Sequence, residues 1–513
     1  MQLPILSILV FFPLAGIVFL LFLDRKNHQM LKLATLGISL LEFLFSLPLW
    51  FRFDSQTGAM QFVERHNWLP SFGISYYVGL DGFSLLLVLL TTFLTPICVL
   101  ATWEDIQHRV KEFMICLLAL MSGMLGVFVA LDLFLFYVFW EVMLIPMYLL
   151  IGVWGNPARR VYAAIKFFLF TMFGSLLMLV AILVLYFHAG KVTGTYTFDL
   201  LKLYAVPVPF YMQFWMFLAF GLAFAIKVPM FPFHTWLPDA HTEAPTVGSV
   251  ILAAVLLKMG TYGFLRFNMP LFPQAAYYFV PLFSVLAVIG IIYGALVSMM
   301  QKDLKRLIAF SSVSHLGFVM LGLFTFTMAG LQGGIIQMIN HGLSTGALFL
   351  IVGMIYERRH TRMIADFGGL STPMPIFAAI FMVVALSSIG LPGLNGFVGE
   401  FLILLGAFKA NMIYSTLAAT GVIFAACYML WMFQRVMFGQ VTNEKNRDLK
   451  DLSWREIAIF APLLLFILWI GVHPNTFLDK TRATSEHFLA MMERSKAPPP
   501  KVALSQFFQG VAR

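Results

Sequence analysis

Six ionisable side chains lie inside long apolar stretches of this sequence, where charges are rare. They are Glu141, Lys227, Lys258, His315, His341 and Glu400. A charge at the centre of a lipid bilayer costs at least about 2.5–3.5 kcal/mol on insertion scales, so each of these residues needs a reason to be there. Structural polar groups that fix helix packing would explain one isolated histidine or lysine, but they explain six in one chain poorly. Glu42 has no obvious partner, and we interpret it as structural.

The residue types favour proton transfer. Burial lowers the pKa of a lysine, and a nearby glutamate holds the proton on the lysine until the two groups separate. Histidine titrates near neutral pH and can pass a proton between sites. A Na⁺ site would need several oxygen ligands together, whereas each candidate site here has one carboxylate. The pattern therefore predicts a proton relay formed by the six residues.

Two of the six residues lie beside sequences that interrupt a helix. Lys227 directly precedes the break at Pro229, and Glu400 follows the Pro/Gly/Asn segment 391–396. A broken spanning helix exposes backbone groups that are tolerated only where they line a cavity or are buried in protein. Transporters place ion sites at such breaks, so the sequence predicts ion-handling sites at both positions.

The spacing of the polar residues suggests an internal repeat. Glu141 and Lys227 are 86 residues apart, and His315 and Glu400 are 85 apart. Each pair joins a polar residue in the middle of one span to a polar residue at a broken helix two spans later. Two five-helix repeats, formed by spans 4–8 and 9–13, would produce this pattern, and transporter halves are commonly built in this way.

Several further polar residues are weaker candidates. His234, Asp239, His241 and Glu243 crowd the turn after the seventh span, but their spacing matches no zinc pattern, so a polar turn is favoured over a metal site. Lys166 lies near the start of its span, where it would either extend its ammonium towards the membrane surface or join the relay. We therefore name Lys166, His234 and His241 as possible additional relay residues, and we predict no metal site.

The composition requires that membrane helices hold these side chains. Only 11% of the 513 residues are charged, against about 25% in soluble domains, and 60% are hydrophobic. This excludes a soluble enzyme and a disordered chain. The net charge of +9 is scattered and not clustered, which argues against a nucleic-acid partner. The three cysteines lie in apolar runs without a C-x-x-C motif, so no disulfide, iron–sulfur cluster or structural zinc is expected in this chain.

Fourteen stretches are long and apolar enough to span a bilayer, so the sequence predicts an all-α integral membrane protein with about 14 transmembrane helices. Stretch 375–408 is too long for one straight helix, and spans 7 and 12 are predicted to be broken. Lysine and arginine are concentrated in the loops after odd-numbered spans, which places these loops in the cytoplasm and both termini outside. The N-terminal stretch has no basic region before it and no cleavage site, which favours a first span over a removed signal peptide.

The chain is divided into four regions. They are residues 1–112 with spans 1–3, residues 113–267 with the first repeat, residues 268–438 with the second repeat, and residues 439–513 with the last span and a tail. Within the tail, residues 475–493 have apolar positions at helical spacing, which predicts a helix lying at the membrane interface and ended by the Ala-Pro-Pro-Pro run at 497–500.

Two long motifs resemble the proton-conducting antiporter-like subunits of respiratory complex I. They are KVPMFPFHTWLPDAHTEAPT at 227–246, which continues to Lys258, and KDLKRLIAFSSVSHLG at 302–317. The resemblance covers nearly the whole chain, and the superfamily also contains subunits of multisubunit Na⁺/H⁺ antiporters and membrane-bound hydrogenases. Glu400, the chain length and the motifs WE at 140–141 and PMY at 146–148 distinguish the chain from the related subunits called L and N.

The resemblance implies a role for each candidate residue. Glu141 and Lys227 match the glutamate–lysine pair of the family, and Lys258 matches its central lysine. His315 and His341 match residues that bridge two half-channels, and Glu400 matches the terminal residue on the exit side.

The resemblance further implies a subunit of an H⁺-translocating NADH:quinone oxidoreductase in the bacterial inner membrane, with L-like and N-like antiporter subunits as partners. NADH, FMN, iron–sulfur clusters and quinone would be bound by other subunits, and this chain would hold no cofactor. A subunit of a cation/proton antiporter or of a membrane-bound hydrogenase is the first alternative. A structural membrane scaffold is the second.

Overall fold

Long apolar helices make up most of the chain in the computed structural model, which describes residues 3–496. Within these residues, 13 helical stretches are long and apolar enough to cross a membrane. The predicted stretch 375–408 is present as two shorter helices joined by a turn. The predicted all-α membrane fold with a broken twelfth span is therefore confirmed, and the chain is a multi-pass membrane protein.

The first part of the chain contains ten helices and one β-hairpin. The elements are α1 (Ile5–Phe22), α2 (His28–Arg52), β1 (Gln61–Leu69), β2 (Ile74–Leu80), α3 (Gly82–Asp105), α4 (Val110–Val129), α5 (Leu133–Val142), α6 (Leu144–Trp154), α7 (Arg160–Thr193), α8 (Leu200–Leu203), α9 (Phe210–Lys227) and α10 (Trp236–Glu243). Asp81 and Asp132 accept hydrogen bonds from the first backbone N–H groups of α3 and α5, which defines where these helices begin.

The second part contains eleven helices, and two π-helical stretches interrupt the first of its spans. The elements are α11 (Thr246–Ile251), a π-helical stretch (Leu252–Leu256), α12 (Leu257–Gly263), a second π-helical stretch (Phe264–Asn268), α13 (Met269–Leu271), α14 (Pro273–Met299), α15 (Leu304–Phe324), α16 (Met328–Arg359), α17 (Pro375–Ser388), α18 (Asn395–Ala410), α19 (Met412–Met437), α20 (Trp454–Val472) and α21 (Asn475–Arg494).

Strands β1 and β2 form an antiparallel hairpin that the sequence analysis did not predict. Arg65 lies opposite Tyr77, and the turn closes at Gly73, whose φ of +67° is in the left-handed region that glycine adopts readily. β1 is mostly exposed and lacks a clear alternation of apolar and polar residues, which removes the usual strand signal. We call this end of the bundle the hairpin face and the other end the opposite face.

Helix α21 packs on the hairpin face, beside the start of α3. The predicted helix at 475–493 is confirmed as α21. Phe477, Leu478, Phe488 and Met492, four of its apolar residues, are buried, and Leu489 is half-buried. The backbone N–H of Gly82 donates to Thr484 Oγ1 at 3.0 Å and so links α21 to α3. The predicted end of this helix at 497–500 lies outside the described residues.

The spans differ strongly in how much of them the bundle covers. The stretch α11–α13 and the central parts of α15 and α16 are buried, whereas α1, α2 and α20 expose large apolar side chains along one side. Exposed apolar faces of this kind are what a spanning helix presents to lipid. Side chains on α12 and on the central parts of α15 and α16 are therefore enclosed by protein on all sides.

Candidate proton-transfer site

Lys258 lies on the short helix α12, between the two π-helical stretches. A π-turn widens the helix locally and often marks a functional site. The ammonium of Lys258 donates to the backbone carbonyl of Ala253, inside the first π-helical stretch, at 2.6 Å. The side chain is fully buried. The distorted helix thus supplies a hydrogen-bond acceptor for a lysine held in the protein interior.

Lys258, His341, His315 and Glu400 form a continuous row of polar side chains through the bundle. Lys258 Nζ lies 2.7 Å from His341 Nδ1. The rings of His341 and His315 have centroids 5.9 Å apart. His315 Nδ1 lies 3.0 Å from Glu400 Oε1, which also accepts a hydrogen bond from Gln337 Nε2 at 3.2 Å. Four of the six predicted relay residues, from four different helices, are thus brought together.

The break between α17 and α18 positions Glu400. Gly390 has a φ of +77°, and a Cβ placed on it would lie 3.0 Å from Glu400 Oε2, so the turn needs a residue without a side chain here. Asn395 Oδ1 accepts a hydrogen bond from Ser387 Oγ at 2.5 Å, and Asn340 Nδ2 donates to the carbonyl of Asn395 at 2.7 Å. These side chains form hydrogen bonds with polar groups at the interruption, which would otherwise have no hydrogen-bond partner.

Glu141 and Lys227 lie near a second break, at Met143, where α5 ends and α6 begins. Lys227 Nζ lies 3.6 Å from Met143 Sδ, 5.2 Å from the ring centroid of Trp140 and 5.7 Å from that of Phe167. No ion pair within 4.0 Å joins Glu141 to Lys227 in residues 3–496. The structure therefore does not show the direct pair that the resemblance implied, because aromatic rings and a thioether occupy the surroundings of the lysine.

The weaker candidates are spread around the turn between α9 and α11. Lys166 Nζ pairs with Asp239 Oδ2 at 2.7 Å, so its ammonium is held by α10. The ring of His234 packs against Tyr293, and its Nδ1 has no hydrogen-bond partner in the described part of the chain. The described residues contain no group of three metal-ligating side chains, here or elsewhere.

A polar cavity of about 630 Å³ opens at the opposite face. Asp105, Glu243 and Lys305 contribute to its lining. Burial raises the pKa of Glu243, although nearby arginines oppose this shift. His241, two residues before Glu243, stacks on Phe349 with ring centroids 4.8 Å apart and is within electrostatic reach of both Lys305 and Lys258. The lining residue Glu243 is thus two residues from a buried histidine that packs against α16.

Sequence reasoning missed several polar residues of this site. Gln337, Asn340 and Asn395 are uncharged, and so were not singled out by a search for buried charges. Lys305 was counted as a loop cation, yet its side chain is buried and donates to the carbonyl of Ala244 at 2.5 Å. Its place three residues after Lys302, at the start of an apolar span, carried no signal that distinguishes a buried lysine from a surface one.

The fold and this row of buried acid, lysine and histidine side chains define a membrane protein of the antiporter-like class. Residues 130–442 match the family described as NADH:quinone oxidoreductase/Mrp antiporter, TM. The chain belongs to this family and, within it, to the group of NADH–quinone oxidoreductase subunit M, also called chain 4.

Individual relatives cover almost the whole chain. NADH-ubiquinone oxidoreductase chain 4 of Marchantia polymorpha is 46% identical over 92% of this chain and 94% of its own length. NADH-quinone oxidoreductase subunit M of Rickettsia prowazekii is 44% identical over 95% of this chain and 99% of its own length. A chain of respiratory complex I from Thermus thermophilus with bound NADH has a TM-score of 0.86, is 35% identical, and covers 95% of this chain and 99% of itself.

Proposed function

We propose that this chain translocates protons across the membrane as a subunit of an NADH:quinone oxidoreductase. The single observation that carries the proposal is the continuous row Lys258–His341–His315–Glu400. Each of these groups can bind and release a proton. NADH oxidation and quinone reduction take place in partner subunits that hold the FMN, iron–sulfur clusters and quinone. The partners include L-like and N-like antiporter subunits. The contribution of this chain is limited to a proton path.

Two cavities, one at each end of the bundle, suggest where protons are taken up and released. The cavity near Glu243 and Lys305 opens at the opposite face. A second cavity, of about 570 Å³, lies at the hairpin face, and Ala407 and Asn411 contribute to its lining. Ala407 is seven residues beyond Glu400, about 10 Å along a helix. We place the opposite face in the cytoplasm of a bacterium and the hairpin face in the periplasm, with protons moving from the first cavity to the second.

The surroundings of Glu400 favour protons over metal cations. The carboxylate faces nitrogen atoms of His315 and Gln337, and Gln337 donates to it. A Na⁺ or other hard cation requires several oxygen ligands. A histidine–carboxylate pair can instead share a proton. This argues against the cation/proton antiporter alternative for this chain.

Replacement of Glu400 by Gln tests the proposal. Glutamine keeps the size and hydrogen-bonding capacity of the side chain but cannot carry a proton. In the intact complex, reconstituted in liposomes, we expect the number of protons translocated per NADH oxidised to fall in Glu400→Gln. Glu42→Gln, which removes a buried carboxyl on α2 outside the row, is the matched control and should behave as the unmodified protein. Normal translocation in an assembled Glu400→Gln complex would favour the scaffold alternative.

A further inference from the structure

A buried ion pair joins the hairpin-face ends of α3 and the stretch α11–α13. Arg266 lies in the second π-helical stretch, and its Nη2 contacts Asp81 Oδ1. Only 6% of the arginine side chain and 1% of the aspartate side chain are exposed. Asp81 also accepts the backbone N–H groups of Phe83 and Ser84, at 3.1 Å each. The pair is thus fixed to the first turn of α3, and the proposed relay does not use it.

Tyr262 lies between this ion pair and Lys258. It follows Lys258 by four residues, which places both side chains on the same side of the helix. Its hydroxyl accepts a hydrogen bond from Arg266 Nε at 3.2 Å and donates to the carbonyl of Phe128 at 2.9 Å. Lys258, Tyr262 and Arg266 therefore form a polar line that runs from the relay towards the hairpin face.

This line cannot conduct a proton as it stands. A proton wire needs groups that accept at one end and donate at the other. A guanidinium has five donors, no acceptor and a permanent charge. The hydroxyl of Tyr262 accepts from the arginine and its own proton is committed to a carbonyl, so Ser84 Oγ, 3.2 Å away, can only donate to it. Fixed positive charges also exclude protons from pores, as an arginine does in water channels.

We propose that the Asp81–Arg266 pair closes the first half of the protein against protons at the hairpin face. A proton on Lys258 then leaves through His341, and the route along Tyr262 to the outside is blocked. Asp81 holds the guanidinium in the path. The inference rests on the proposed function, since it assumes that Lys258 carries a proton.

The test is passive proton conductance of the resting complex. The double variant Asp81→Asn with Arg266→Gln replaces the ion pair by two neutral amides, and asparagine keeps the N-cap of α3. The complex is reconstituted in liposomes without NADH, a potential is imposed with K⁺ and valinomycin, and proton influx is followed with an internal pH dye. We expect a several-fold increase in proton influx over the unmodified complex.

Two further variants make the test specific. Arg358 and Glu456 form a bidentate ion pair on the opposite face, at 2.7 and 2.8 Å. The double variant Arg358→Gln with Glu456→Gln removes a comparable pair and should not leak. Adding Lys258→Met to the double variant at Asp81 and Arg266 should abolish the leak, because the proton would no longer reach the opened route.

Arg266→His provides an independent test should the neutral double variant fail to assemble. It leaves Asp81 a partner and introduces a ring that can both accept and donate a proton, so the same leak is expected. An assembled variant with unchanged proton influx, or a leak that Lys258→Met leaves intact, would overturn the proposal. The resting leak is measured without turnover, so this outcome is distinct from failure of the relay, which Glu400→Gln reports during NADH oxidation.

Discussion

The two halves of the protein hold their polar pairs differently. His315 and Glu400 lie 3.0 Å apart, and both side chains are buried. Glu141 and Lys227, which the sequence spacing predicts to occupy corresponding positions, form no ion pair within 4.0 Å in residues 3–496. Lys227 faces aromatic rings and a thioether, which stabilise its ammonium less directly than a carboxylate would.

The difference follows from the helices that carry each pair. α15 is enclosed by protein, so His315 has few positions open to it. Glu141 lies on α5, one residue from its end at Val142, and is only partly buried. Glu400 also lies on a half-helix next to a break, but its partner His315 is held on a packed central helix, which cannot shift cheaply. We infer that the second half forms a fixed path and that the first half regulates when a proton reaches it.

The largest effect is expected from Lys258→Met. Lys258 contacts His341 directly and is the first member of the continuous row, so both halves depend on it. Methionine has a similar shape and fits a buried site, which favours assembly. We expect near-complete loss of proton translocation through this subunit, measured as protons moved per NADH oxidised. Substantial translocation in the assembled variant would show that the two halves work independently.

Lys227→Arg tests whether the side chain at this position contributes a fixed positive charge or a proton that it can release. Arginine keeps the positive charge and can interact with the ring of Trp140, but it does not release its proton in proteins. We expect an assembled complex that has lost most of its proton translocation, with a smaller loss than for Lys258→Met. Full translocation in Lys227→Arg would show that this position acts only by its charge.

A smaller effect is expected from substitutions in the turn that precedes Glu400. Gly390 and Gly393 both have positive φ, at +77° and +91°, so alanine strains either one by about 1 kcal/mol. Only at Gly390 would the new Cβ lie 3.0 Å from Glu400 Oε2, since nothing lies within 4 Å at Gly393. We expect Gly390→Ala to reduce proton translocation several-fold and Gly393→Ala to lower thermal stability alone. Equal translocation in the two variants would contradict the close positioning of Glu400.

The smallest effect is expected from Glu42→Gln. The side chain of Glu42 is fully buried on α2, and neither carboxylate oxygen has a hydrogen-bond partner in residues 3–496. A neutral amide of the same shape should be accommodated with little change in assembly or translocation. A severe loss of translocation, with assembly intact, would show that the set of relay residues is incomplete.

The sequence identified the residues that carry the chemistry more successfully than it predicted the local geometry around them. Buried charge in an apolar stretch is a strong signal, and it identified Lys258, His315, His341 and Glu400 before their contacts were known. The break at Met143 was missed, although Pro146 marks it, because proline cannot donate to the carbonyl four residues earlier. The π-helical stretches around Lys258 were also missed, since no hydrophobic period specifies them.

One implication of the resemblance is not met, and one prediction from sequence spacing stays open. The direct contact of Glu141 with Lys227 depended on how two half-helices pack, which residue types do not determine. The two five-helix repeats and the division at residues 113–267 and 268–438 stay predictions. Under that predicted repeat, the two polar pairs would occupy corresponding positions while differing in contact.

The central claim is that Lys258 and Glu400 act in series on one proton path. The most direct test measures protons translocated per NADH oxidised for Lys258→Met, for Glu400→Gln and for the double variant, in intact complexes of equal assembly. Residues that act as a unit give strongly non-additive effects. We predict that the double variant loses no more translocation than the more severe single variant. Losses that add in the double variant would contradict a single continuous path.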